Sequence, residues 1–575
     1  MVAIPGVALS GTVFADARSV SGASVQLYAA GNSGNGSAAT ALLSSALTTN
    51  ATGGFSIPAG YSCPSAQTPL YLLSKGGNSG GAINSSLWLM SALGPCANLI
   101  SGSSFVVNEA TTVAAAWALA PFIASGGKVG ASCTNASGLD NAFTTASHLV
   151  NPATGASPGA SLASTLTVPT AKLNSLANAL AACATSSSSC SSLFTAATAG
   201  STAPSNTLDA AFNIARDPGS NVAAIFNLAS TSSAYSPALT TAPPDWMLAN
   251  TLTGSGMTMP TAVSVGSSGD VWVANYLAGI YAFSPTGASL FPSGITASGI
   301  NQVFGMALDI QGNVWIANEQ TSSNSGLGDV AELSSSGSML LSNIGSGGIE
   351  FPTAVTADSN GNIWIVDYAS SKVTLLNSSG TPLSGTSGWG GNSLEFPVAL
   401  AVDSSHNAWV ANQSGMLPVT KISADGSTVT NYDCDCDEAS GIAVDQKNNL
   451  WIANYSSSSV SEVNACGTLV LDAITGGGLK YPQGIAVDGA GTVWVGNVHG
   501  GSISEISGAS SSSPGSFLSP SSGFGTDASL LLPFALAVDA SGNVWVTNEG
   551  TNTLTQFIGV ASPVSTPMAG PPQLP

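Results

Sequence analysis

Gly441-Ile442-Ala443-Val444-Asp445, a four-residue turn, and then Leu450-Trp451-Ile452-Ala453-Asn454 decide the fold of this 575-residue chain. The first block alternates as a strand does, the turn is tight, and the second block is a strand carrying a tryptophan. The same pattern recurs around Trp272, Trp315, Trp364, Trp409, Trp451, Trp494 and Trp545, spaced by 43, 49, 45, 42, 43 and 51 residues. Six residues before each Trp stands Asp309, Asp358, Asp403, Asp445, Asp488 or Asp539, with Gly266 the one departure. Three residues after each Trp stands Asn275, Asn318, Asp367, Asn412, Asn454, Asn497 or Asn548. A period of 40–50 residues held in register marks a repeat architecture.

Two weaker strands follow each Trp strand, as in Ser459–Val463 and Thr468–Leu471. Four antiparallel strands per unit make a propeller blade, and one such sheet cannot bury both faces alone. The expected fold is therefore mainly β: a seven-bladed β-propeller over 246–562, with each Trp wedged between neighbouring sheets. Trp246–Asn250 and Thr553–Ile558 are expected to close the ring by pairing. The Asp series should cap turns by accepting backbone N–H bonds, and the Asn series should end the Trp strand with local bonds.

Tyr481-Pro482-Gln483-Gly484-Ile485-Ala486-Val487-Asp488 and Gly542-Asn543-Val544-Trp545-Val546-Thr547-Asn548 resemble the NHL repeat and the virginiamycin B lyase-like propellers. The resemblance implies the fold. It does not imply one activity, because such propellers include lyases, hydrolases and binding platforms. The lyase-like enzymes use a cluster of His and Glu around a divalent metal. This chain has three histidines, His148, His406 and His499, and only His499 is placed toward the upper mouth. The weak catalytic candidates are therefore His499 with Glu505 or Glu549. No Gly-x-Ser-x-Gly elbow, P-loop or dinucleotide fingerprint stands in the required context, so no cofactor is expected.

Residues 1–107 read as β. Val7–Phe14, Ala23–Tyr28 and Leu70–Leu73 alternate, and Thr49–Ile57 is a turn followed by a strand. Gly11–Val13, Val20–Val25 and Thr49–Phe55 resemble the transthyretin-like, carboxypeptidase regulatory-like β-sandwich, which implies an accessory module. Residues 108–232 read as an α-helical region, with helices expected over 113–120, 170–180, 208–214 and 222–228. It is expected to serve as a helical spacer packed against one or both neighbours. Residues 233–245, with Pro237, Pro243 and Pro244, read as a linker, and 563–575 as a Pro-rich tail.

Composition limits the partners. Charged residues make up 7% of the chain and the formal net charge is −20, with nine Lys+Arg against 29 Asp+Glu. Such a surface offers little to phosphates, so nucleic acid is not an expected partner. The 44% hydrophobic content argues against disorder. No apolar run is long enough for a transmembrane helix. Met1–Pro5 leads straight into a strand pattern, which fits a start trimmed to the mature protein. Eight cysteines fit an oxidising compartment. The expected pairs are Cys63–Cys96, Cys183–Cys190, and Cys466 with Cys434 or Cys436; the last pair would take Cys133. A metal site in Asp433–Glu438 is disfavoured, because its cysteines lack a Cys-x-x-Cys spacing or a nearby His.

The residues that follow the Asn series differ from copy to copy: Tyr276, Glu319, Tyr368, Gln413, Tyr455, Val498 with His499, and Glu549. A shared core demands sameness, so variation marks positions freed from it. These side chains are expected to ring the upper mouth and meet a protein, peptide or glycan, unless they form an ordinary solvated loop. The sequence thus points to a secreted or cell-surface binding protein. The alternatives are an extracellular lyase or hydrolase acting at the mouth, and a self-assembling structural component. The oligomeric state is not legible.

Overall fold

The computed structural model describes residues 2–160, 162–185, 187–254, 256–277, 279–297, 299–320, 327–414, 418–434 and 436–575. Met1, Ser186 and Asp435, which figure in the sequence reading, lie outside them. The chain divides into two compact units, Met1–Asn250 with Phe557–Val560, and Thr251–Gln556 with Ala561–Pro575.

In the first unit, strand Leu9–Ala15 buries every second residue. It pairs antiparallel with Gly54–Ile57 and parallel with Ser104–Val107. A second sheet runs Trp88–Pro95, Pro69–Lys75, Ser24–Ala29 in order. Leu9, Val13, Val25, Leu27, Phe55 and Leu72 from the two sheets share one core. A disulfide joins Cys63 to Cys96.

Pro69–Lys75 is buried on both faces, which explains its unbroken apolar run. Leu70 and Leu72 face the core shared by the two sheets, while Tyr71 and Leu73 face the helices together with Met90. The helical region is therefore packed against this sheet and forms half of a core with it. Its central helix, Glu109–Ala118, is buried along its whole length. Asn108 starts it with a capping box: its side chain accepts from the Thr111 N–H, and Thr111 Oγ1 accepts from the Asn108 N–H, both at 2.9 Å.

Helices Thr170–Ala181, Thr207–Arg216 and Val222–Ala229 stand where the apolar spacing put them. Helix Ala136–Leu149 was not expected. It buries Leu139, Ala142, Phe143, Ala146 and Leu149 on one face, but Gly138, two Thr and two Ser and Asn141 dilute its propensity.

Residues 233–245 are no free linker. Tyr235 donates to buried Glu109 at 2.5 Å, and Asp245, fully buried, pairs with Lys172 at 3.0 Å. Trp246 belongs to this unit, where its carbonyl accepts from the Trp117 indole at 3.0 Å. The repeat unit consequently begins at about 251 rather than 246.

In the second unit every repeat forms an antiparallel sheet. The first strands are Pro260–Val265, Val303–Leu308, Pro352–Ala357, Pro397–Val402, Ala439–Val444, Pro482–Val487 and Pro533–Val538. Each touches the next in this order, and the last touches the first. The Trp strands lie outside them, fully buried as a whole. Trp272, Trp315, Trp364, Trp409 and Trp451 each pack among apolar residues of the following sheet, as Trp451 does with Val487, Val493 and Val495. In the seventh sheet the strand Thr553–Phe557 lies between the Trp strand and Ala249–Thr253.

Among the described residues, only the second, fourth and fifth repeats supply a regular fourth strand of their own. In the first, third and sixth, isolated bridges replace it, such as Ile280 with Ile295, Val373 with Trp389, and Ile503 with Phe524. Those segments carry Pro285 and Pro292, Pro382, and Pro514 and Pro520, which interrupt a ladder by removing its N–H donors.

The Pro-rich tail is packed as well. The Val564 N–H donates to the Asp539 carbonyl, and Thr566 Oγ1 donates to the carbonyl of Gly266, the position where the first repeat lacks its Asp.

Candidate functional site

A turn and a bulge position the mouth of the repeat unit. At the start of each first strand the pairing slips, between Pro260 and Ala262, Val303 and Gly305, Pro352 and Ala354, and so on around the ring. A bulge re-aims the side chain it contains. The residues so placed are Thr261, Phe304, Thr353, Val398, Ser440, Gln483 and Phe534, and all seven line a single cavity of about 570 Å³. Thr261, Thr353 and Ser440 also clip neighbouring sheets together, donating to the carbonyls of Val303, Pro397 and Pro482 at 2.9, 3.2 and 2.8 Å.

The residue just before the strand is held at positive φ in most copies: Met259, Gln302, Phe396, Glu438, Tyr481 and Leu532. Bulky side chains rarely adopt that conformation. Its carbonyl, or that of Phe351 in the third copy, accepts the N–H of the residue that follows the Asn series. Tyr276 thus donates to Met259, Glu319 to Gln302, Tyr368 to Phe351, Gln413 to Phe396, Tyr455 to Glu438, Val498 to Tyr481 and Glu549 to Leu532, all at 2.9–3.2 Å. The variable residues therefore stand above the ends of the first strands.

They do not form one continuous ring of contacts. Glu319, Tyr368 and Gln413 line the cavity. Tyr276 reaches it indirectly, edge-on to Phe304 at 6.5 Å, and Phe304 in turn meets Phe534 at 5.8 Å. The Tyr276 phenol is pushed up to about 12, first by hydrogen bonding with Glu319 and then by burial. Tyr368 stacks tilted against Phe351 and Phe396, at 6.1 and 5.0 Å. Gln413 donates to Glu438 at 3.2 Å, and the Ser456 hydroxyl donates to the same carboxylate.

Tyr455 and His499 make a separate cluster. The Tyr455 hydroxyl lies 3.3 Å from His499 Nε2, and the exposed ring of Tyr481 meets the imidazole edge-on at 4.8 Å. Glu505 does not join them. It pairs across from Trp494, whereas His499 lies beyond Asn497, which pairs with Ser502. Three strand positions, about 10 Å, separate Glu505 from that end of the strand pair. Glu505 therefore stands apart from His499 along the strand pair. Glu549 is half-buried, and burial raises its carboxyl above the ordinary range.

The uniform positions hold the blades. Asp309, Asp358, Asp403, Asp445, Asp488 and Asp539 each accept two backbone N–H bonds across the turn, at 2.8–2.9 Å. Asn454, Asn497 and Asn548 each donate to two hydroxyls of the next strand, such as Ser459 and Ser461 at 3.0 and 2.9 Å.

The cysteines are paired differently from expectation at one place. Disulfides join Cys183 to Cys190 and Cys434 to Cys436, while Cys466 and Cys133 are free and exposed. Cys466 is thus no partner of Cys434 or Cys436. Those two sulfurs bond each other across one intervening residue, with Cα atoms 5.1 Å apart, inside the range a disulfide spans. A disulfide sulfur is no thiolate, so the segment Asp433–Glu438 loses its soft metal ligands.

Phe304, Phe351 and Phe534 were not singled out from the sequence. For Phe304 and Phe534 a signal was there: the second residue of each first strand, which follows a Pro in five of the seven copies, varies as freely as the one after the Asn.

No family model and no curated protein matches the chain. Solved structures of β-propellers do. A catalytically inactive virginiamycin B lyase from Staphylococcus aureus with quinupristin is similar over 54% of this chain and 98% of its own, at 16% identity and a TM-score of 0.43. The WD40 β-propeller domain of Doa1 covers 53% and 94%, at 8% identity and 0.39. The extracellular domain of a hybrid two-component system from B. thetaiotaomicron covers 53% and 41%, at 14% identity and 0.40. The chain is mainly β with propeller-like structural neighbours, and its site rests on its own geometry.

Proposed function

We propose that this chain is an exported or cell-surface binding protein. In this reading the second unit is a seven-bladed β-propeller of the NHL-like kind, and the mouth of its central cavity holds a protein, peptide or glycan ligand. The first unit, with its two sheets, is a transthyretin-like accessory module joined to a helical layer. The observation that carries the proposal is the lining of the 570 Å³ cavity: seven bulged positions, one from each repeat, occupied by seven choices from Thr, Phe, Val, Ser and Gln. A cavity of this volume, mostly apolar and with a few convergent polar groups, matches what ligand sites require. Three disulfides support an oxidising compartment. Among the described residues no helix is long and apolar enough to cross a membrane.

Peptide and glycan arrays probed with the full chain test this, beside a Phe304→Ala/Tyr368→Ala variant of unchanged thermal stability. The expected result is a ligand that the wild type retains and the variant loses at least tenfold. A ligand held equally by both places binding elsewhere and overturns the mouth as the site.

A further inference from the structure

The cavity carries a single carboxylate. Among the described residues that line it, Glu319 is the one acidic group, and no Lys, Arg or His accompanies it. Its Oε2 is buried and has no hydrogen-bond partner among the described residues. A buried carboxylate oxygen without a donor is costly unless a ligand supplies one. The other lining residues are uncharged: Thr261, Thr353, Gln413, Ser440 and Gln483 are polar, and most of the rest are aromatic or aliphatic. Phe304, Phe351, Tyr368 and Phe534 bring π-faces to the same mouth, and the floor is made of residues such as Val263, Ile442 and Leu536.

An acidic group among aromatic faces selects by charge. The face of a benzene ring is negative and attracts a cation within about 6 Å, more strongly when water is excluded. An anion meets both the carboxylate and the ring faces unfavourably. A neutral ligand without an N–H or O–H leaves the Glu319 oxygen unsatisfied, and one that has such a donor satisfies it more weakly than a cation does.

Building on the mouth as the binding site, we propose that the cavity takes a ligand with an apolar body and a positively charged ammonium head that carries N–H donors, the head donating to Glu319 and lying against the neighbouring rings. The binding role rests on the variable rim; the charge of the ligand follows from Glu319, the one charged group among the described residues of the lining.

Ligand-observed NMR on the full chain tests it with three probes of one shape class: benzylammonium, its uncharged isostere ethylbenzene, and benzenesulfonate. Benzylammonium is expected to bind at least tenfold more tightly than the other two. Glu319→Gln should weaken it about tenfold, while Glu395→Gln, exposed and outside the lining, should leave it within twofold. Equal or tighter binding of the neutral or anionic probe overturns the proposal, as does a cation affinity unchanged in Glu319→Gln. Phe351→Ala separates the two levels. If an uncharged or anionic probe binds and this variant releases it, the mouth remains a binding site and only the cation assignment falls. If none of the three probes binds, the cation proposal falls, and the array result alone decides the mouth.

Discussion

The indole N–H of Trp315 donates to the carboxylate of Asp309, six residues upstream, at 3.1 Å. The same bond links Trp364 to Asp358, Trp409 to Asp403 and Trp545 to Asp539, at 3.2, 3.1 and 2.8 Å. One residue thus closes the turn with its Oδ1 and anchors the wedge between sheets with its Oδ2. The Asp309 turn also takes the Gln311 and Asn313 N–H groups, both at 2.9 Å. Asp309→Ala leaves these donors and the buried indole without their acceptor. A loss of about 2–4 kcal/mol is expected, since each buried donor left unsatisfied costs about 1–3 kcal/mol. Urea denaturation checks it. A midpoint within error of wild type would show that the Asp–Trp bond adds nothing to the blade.

Two glutamates give the repeats a pH dependence. Glu332 and Glu462 lie across the strand pair from Trp315 and Trp451. The Asn313 amide donates to both Asp309 and Glu332, at 3.3 and 2.9 Å, and the Asn449 amide donates to both Asp445 and Glu462, at 3.2 and 3.0 Å. Burial first, and then the neighbouring aspartate, raise each glutamate from 4.5 to about 7.

A carboxyl whose pKa is higher folded than unfolded stabilises the fold in its protonated form. That contribution is fully present below 4.5 and is lost as pH rises to about 7. Glu462→Gln keeps the neutral shape at every pH. Relative to wild type it is expected to gain on the order of 1–3 kcal/mol at pH 8 and little at pH 4. Thermal unfolding of the two proteins across pH 4–8 measures the difference. A gap that stays constant with pH would remove Glu462 from the account.

The sequence carried the parts of this fold whose chemistry recurs. Asp, Trp and Asn stand at fixed offsets because each blade needs a turn cap, a wedge and a strand-end amide, so seven copies spell them out. The cavity was only half legible. The variable residue after Asn was visible, and Glu319, Tyr368 and Gln413 do reach the lining. Phe304 and Phe534 were hidden because their position depends on a bulge, and a bulge is a matter of register that a strand pattern does not display. The segment 233–245 misled for a different reason. Its prolines look like a linker locally, while its anchors, Tyr235 to Glu109 and Asp245 to Lys172, are made with residues 126 and 73 positions away. No local period can encode such partners.

Cysteine pairing was legible where a loop stood between clear elements, as for Cys183 and Cys190, and not where three cysteines share one repeat. Cys434 is fully buried, whereas Cys466 sits on an exposed turn where its N–H donates to Asn464 Oδ1 at 3.0 Å. A thiol on that turn is open to reagents in the folded protein, and a bridged pair is not. Iodoacetamide applied to the native, unreduced chain is therefore expected to modify Cys133 and Cys466. Peptide mapping should find Cys434 and Cys436 modified only after reduction and unfolding. Recovery of a peptide pair crosslinked through Cys466, or alkylation of Cys436 without reduction, would replace the Cys434–Cys436 bridge with the pairing the sequence suggested.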